Sequence, residues 1–212
     1  MTVQPIRFGS IEAPAEPAEA QDLQRLFRTL DGLDRDYGPA GRLPVEGAEE
    51  VLAAALATLA RIAQHAPQTS QLSIAEITCA VALWAMSHEL EVAPVEPVVN
   101  ALAIRANNAR SREAAAAVLA LMRRVIDNVA PRLSPDLERS NPQRPWRLLH
   151  VNLAITAIRT ADGPTLEGAF DALDAALPDE AQGFYAEALA LALNPAVAPE
   201  VREKIARRHS RG

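Results

Sequence analysis

Sixteen prolines cut this 212-residue chain into segments, and within nearly every segment apolar residues recur three and four positions apart. That recurrence places them on one face of an α-helix. Leu23, Leu26, Phe27, Leu30 and Leu33 form such a stripe between about Ala18 and Asp36, and Leu52, Leu56, Leu59 and Ile62 form the next between Gly47 and Ala66. Val118, Leu119, Met122, Val125, Ile126 and Val129 continue the pattern between Ser111 and Val129. Further segments begin after Pro97, at Pro145, at Pro164, at Asp179 or Glu180 and at Pro199. No stretch shows the period-two alternation of β-branched and aromatic residues that a strand needs. The chain is therefore read as all-α, with about nine helices in a compact multi-helix bundle or a short irregular α-solenoid.

Two segments are apolar on more than one side and read as central helices. One opens at a capping box of Ser73 and Glu76; Ile74, Ile77, Val81 and Trp84 make one stripe, and Cys79, Leu83, Met86 and Leu90 make another. The second runs from Pro145 to Thr160, with Trp146, Leu149 and Leu153 on one side and Leu148, Ile155 and Ile158 on the other. Between Pro131 and Pro145 lies the longest irregular stretch, because Pro131, Pro142 and Pro145 do not suit helix interiors. Residues 1–20 lack periodicity and read as a flexible arm, leaving 21–212 as a single helical domain. Two partial self-matches, spaced by 51–52 and by 64 residues, share no period and are not read as repeats.

Composition narrows the function classes. Ala fills 43 positions and aromatics only 8, so helices can approach closely. No apolar run reaches membrane-spanning length, and the opening residues place prolines and acids where a secretory signal needs a cationic start and an apolar core. A single cysteine, Cys79, forms neither an internal disulfide nor a cysteine zinc site. These features predict a reduced, cytoplasmic protein with no membrane contact. A net charge of -6 argues against nucleic-acid binding. That charge is uneven: residues 1–100 carry -8, residues 101–160 carry +6, residues 161–200 carry -8 and residues 201–212 carry +4. Either the basic middle pairs with the acidic flanks, or it forms a docking face.

Chemistry has no visible anchor. Phosphate-binding glycine loops, nucleophile elbows and helical metal-ligand spacings are all missing, so no catalytic residue, metal or cofactor is assigned. His88 and His150 fall on apolar seams of the two central helices, where a hydrogen-bonded core histidine is the ordinary outcome. The stretch from Arg139 to Arg147 departs most from a bland surface. It gathers Arg139, Arg144, Trp146 and Arg147 in a proline-stiffened loop entering a central helix, and arginine and tryptophan are enriched in binding hot spots. Arg105, Arg110 and Arg112 extend the basic region.

The leading expectation is thus a non-enzymatic helical interaction, regulatory or adaptor domain. It docks a protein partner of acidic surface through Arg105, Arg110, Arg112, Arg139, Arg144, Trp146 and Arg147. The competing expectation is a small helical enzyme or ligand-sensing domain with a pocket near His88 and His150. Uncovered faces on the Ala-rich helices also allow self-association into a homo-oligomer.

Overall fold

The structure, a computed structural model, describes residues 17–160, 162–194 and 197–210, without the side chains of 17–20, 45 and 46. Among the described residues there are nine α-helices and no strand, so the fold is all-α. The helices are α1 (Pro17–Tyr37), α2 (Val45–His65), α3 (Gln71–Ser87), α4 (Glu96–Asn108), α5 (Arg112–Leu133), α6 (Pro145–Thr160), α7 (Gly163–Ala176), α8 (Ala181–Ala192) and α9 (Pro199–His209). The expected arm falls outside the described residues as far as position 16, and its last four positions, 17–20, are helical. The packing divides into two compact units, Met1–Arg105 and Ala106–Gly212.

In the first unit the stripe on α2 is buried as the spacing demands, with Leu52, Leu56, Leu59 and Ile62 all in the core. α1 ends at Gly38, whose φ of 84° is the left-handed conformation that glycine adopts freely. Three residues on, a Cβ at Gly41 would lie 1.8 Å from the carbonyl oxygen of Tyr37, so only glycine fits where the loop folds back on the helix end.

α3 starts earlier than its capping box predicts. A single 3-10 turn over Gln68–Ser70 leads directly into Gln71, which places Ser73 and Glu76 inside the helix. The Gln71 side chain donates to the carbonyls of Ala63 and Ala66 at 2.8 and 3.0 Å, closing the end of α2 instead. Ile74, Ile77, Cys79, Val81, Trp84 and Ala85 are all buried, which matches a helix packed on more than one side.

In the second unit, Ser111 caps α5 by accepting from the Ala114 amide at 3.1 Å, and Asp162 caps α7 by accepting from Thr165 at 2.9 Å. α5 continues through Pro131 to Leu133, against the expectation that Pro131 lies outside it. Pro131 falls in the last turn, where the Ser134 amide still closes onto the Ala130 carbonyl at 3.0 Å and the missing proline N–H costs a single bond. α6 packs on α5 and α7, while α8 packs on α9. α9 is clamped to α7 by charge: Lys204 reaches Glu167 at 2.7 Å, and Arg208 reaches Glu167, Asp171 and Asp174 at 2.8, 2.6 and 2.6 Å. Lys204 and Arg208 together hold the Glu167 carboxyl down at about 2.

Candidate functional site

The arginines named as a docking face are unequally available. Arg144 is buried at 3% exposure. Its guanidinium donates to Asp136 at 2.6 and 3.1 Å, to the carbonyls of Arg139 and Asn141, and to Glu180. The hydrogen bonds to Asp136 raise Arg144 above its ordinary range, with burial opposing and Glu180 adding to the effect. Asp136 reaches it from a left-handed backbone, φ 47°, a conformation that aspartate tolerates better than most residues. Arg147 is half-buried and bonded to Glu180 at 2.5 Å. Burial raises the Glu180 carboxyl, but Arg144 and Arg147 outweigh it and leave the group below the usual carboxylate range. Trp146 is buried against His150.

Arg144 and Arg147 therefore knit the loop before α6 to the start of α8, and Arg144 and Trp146 present no accessible head group. Arg110, Arg112 and Arg139 remain exposed, the last 3.4 Å from the exposed Asp179. Arg105 lies half-buried in the first unit beside Cys79; burial pushes that thiol up while a hydrogen bond with Arg105 opposes the shift.

The two histidines differ. In the first unit His88 is 1% exposed, and both ring nitrogens face oxygens: Asp34 Oδ1 at 2.9 Å and the Gly41 carbonyl at 2.6 Å. Neither nitrogen is left for a substrate. His150, in the second unit, is 4% exposed with no hydrogen-bond partner on either nitrogen, and burial lowers its pKa to about 4. It is neutral at pH 7, enclosed, and edge-on to Trp146 at 4.4 Å between ring centroids. Among the described residues no group of three or more histidine, cysteine or acidic side chains is arranged to hold a metal, and no helix is long and apolar enough to cross a membrane.

An opening with room for a partner lies elsewhere in the second unit. α6, α7, α8 and α9 surround an apolar groove of about 490 Å³. Leu173, Leu177, Ala192 and Ile205 form its buried floor, while Ile155, 44% exposed, and Leu191, 76% exposed, stand at its lip. Arg147, Arg159, Asp179, Glu180 and Glu187 make a rim of both signs.

Comparison with protein-family models, curated proteins and solved structures finds no match.

The groove therefore stands on its own geometry. A second cavity, about 410 Å³, lies among α2, α3 and α4 in the first unit and is lined by Leu59, Ile74, Ile104, Gln71, Thr78 and Asn100. Neither opening is lined by His88 or His150. The sequence carries one signal for the groove, the second apolar side of α6. Ile155 and Ile158 were expected to meet another packed helix, and they line the open groove instead.

Proposed function

We propose that this chain is a non-enzymatic α-helical interaction domain, regulatory or adaptor in role, that acts by holding a protein partner. The observation that carries the reading is the open apolar groove of the second unit, with Ile155 and Leu191 exposed at its edge. Contiguous exposed apolar surface is costly in water and is retained chiefly where a partner covers it. The docking surface moves accordingly from the arginine cluster, whose central members are tied to Asp136 and Glu180, to the groove and its rim. Arg110, Arg112 and Arg139 stay available to steer an acidic partner toward the molecule. A single buried cysteine and an overall acidic chain are in keeping with a reducing, cytoplasmic setting and with a protein rather than nucleic-acid partner.

The test compares the full chain with its Ile155→Glu variant, each recovered from the cells that make it and weighed by native mass spectrometry. A stoichiometric protein held by the parent chain and lost from the variant is the expected result. Identical complexes from both, or a bound small molecule in place of a protein, would overturn the reading.

A further inference from the structure

We propose that the groove of the second unit is the interface between two copies of this chain, with α8 of each copy laid against α6 of the other. The inference rests on reading the groove as a protein docking surface, and it names the partner. In a two-fold interface one patch meets a copy of itself, so that patch must carry both a projection and a hollow, and both signs of charge. This patch does. The hollow lies between α6 and α8, and the projection is Leu191, 76% exposed near the end of α8.

The charges on the rim sort in the same way. Arg147 and Glu180 neutralise each other at 2.5 Å, and Asp179 faces Arg139. Arg159, on the α6 wall, donates to the backbone carbonyls of Ala106 and Ala109 and meets no carboxylate among the described residues. Glu187, on the α8 wall, makes no ion pair among the described residues. A positive charge met by backbone carbonyls alone thus stands on one wall, and a negative charge without a cation among the described residues stands on the other. An acidic helix in the groove would meet Glu187, and a basic one would meet Arg159; a second copy presents the opposite sign to each.

The spacing fits as well. Ile155 and Arg159 are one helical turn apart on α6, and so are Glu187 and Leu191 on α8. Antiparallel packing of α8 on α6 of the other copy sets Leu191 against Ile155 and Glu187 against Arg159 in a single register. The exposed face of α6, which its apolar pattern marks for burial, is then covered twice in each dimer.

Sedimentation equilibrium of the full chain tests this. The expected mass at high concentration is twice 22.7 kDa. Leu191→Glu and Glu187→Arg, neither of which removes a bond within the chain, each weaken association by about tenfold or more while helical circular dichroism is unchanged. Leu137→Glu, at an apolar residue 92% exposed outside the groove, leaves the dimer intact. Mixing the Glu187→Arg chain with an Arg159→Glu chain that retains its helicity restores a dimer, since both cross-pairs are then opposite in sign. A monomer at every concentration, or a dimer indifferent to both Leu191→Glu and Glu187→Arg, overturns the proposal. If the chain is monomeric yet Ile155→Glu still loses a different bound protein, the two-copy inference falls and the docking reading survives. If the chain is monomeric and Ile155→Glu loses nothing, both fall.

Discussion

α3 with its C-cap residue, and α6, carry the same pair of side chains in the same spacing, a tryptophan followed four residues later by a histidine, and the two units treat that pair differently. In the first unit Trp84 and His88 sit with ring centroids 4.7 Å apart, and every polar atom is met: Trp84 Nε1 donates to Asp34 Oδ1 at 2.7 Å, and the His88 nitrogens face Asp34 and Gly41. In the second unit Trp146 and His150 touch at 4.4 Å, and neither Trp146 Nε1 nor either His150 nitrogen has a partner. The helix supplies only the pair. The acceptors come from another element, the end of α1 and the loop folded back by Gly38 and Gly41, and no described residue does this for α6. A buried polar group without a partner costs stability, whereas a satisfied one rigidifies its surroundings. The same local sequence is thus an anchor in one unit and a liability in the other.

The sharpest way to break this comparison is to remove each histidine. His88→Ala leaves the Gly41 carbonyl without its partner, leaves Asp34 Oδ1 with Trp84 alone, and opens a cavity at a site 1% exposed. The expected loss is about 3 to 4 kcal/mol. His150→Leu fills a similar volume with apolar atoms where no hydrogen bond is lost, and the expected change runs from none to a gain of about 1 kcal/mol. Urea unfolding followed by tryptophan fluorescence separates the two, since Trp84 reports on the first unit and Trp146 on the second. Equal losses for the two substitutions would show that the second pair is satisfied as fully as the first.

A pH titration sharpens the same contrast with a somewhat smaller effect. Burial lowers the His150 pKa from 6.5 to about 4. Between those values the unfolded chain binds a proton that the folded chain refuses, so stability falls as pH falls through the window and is level above it. Taken alone, His150 removes about 2 kcal/mol by pH 5 and about 3 kcal/mol by pH 4. His150→Leu flattens this slope, and the difference between the two titrations isolates the histidine from the carboxylates that titrate lower. A parent chain as stable at pH 5 as at pH 7.5 would mean that the ring takes up its proton in place.

Much of the fold is legible because its signals are local. Pro145 opens α6 and Ser111 caps α5 where the sequence places them, and the buried stripe of α2 is the one its spacing marks. What is not legible shares a cause: it depends on residues far apart in the chain. Nothing in the stretch from Arg139 to Arg147 shows that Glu180 will close on Arg144 and Arg147. The second stripe of α6 marks Ile155 and Ile158 for burial, but the pattern is the same whether a helix of this chain or of another molecule covers them. The Trp-His pairs mark two core seams and carry no hint that Asp34 serves only one. The charge blocks show the reverse case. Glu167, Asp171 and Asp174 are paired, but by Lys204 and Arg208 of α9 and not by the basic middle of the chain.

The smallest effect concerns the backbone just after His88. α3 closes with the Leu90 amide on the Ala85 carbonyl at 3.0 Å and the Glu89 amide on the Met86 carbonyl at 3.3 Å, with Glu89 at φ 61° between them. Glycine is the usual residue there, because a Cβ in the left-handed region crowds the following carbonyl, and an acid at a helix C-terminus opposes the helix dipole. Glu89→Gly relieves both and gives back part of the gain as entropy of the unfolded chain. The expected net gain is about 0.5 to 1 kcal/mol in the midpoint of urea unfolding. Measured in the parent and again beside His88→Ala, the same gain in both backgrounds would mean that the helix end closes independently of the histidine's bonds. A gain that vanishes without His88 would show that Asp34 and Gly41, acting through the ring, are what hold Glu89 in its strained conformation, and the first unit's anchor would then extend past the side chain into the turn.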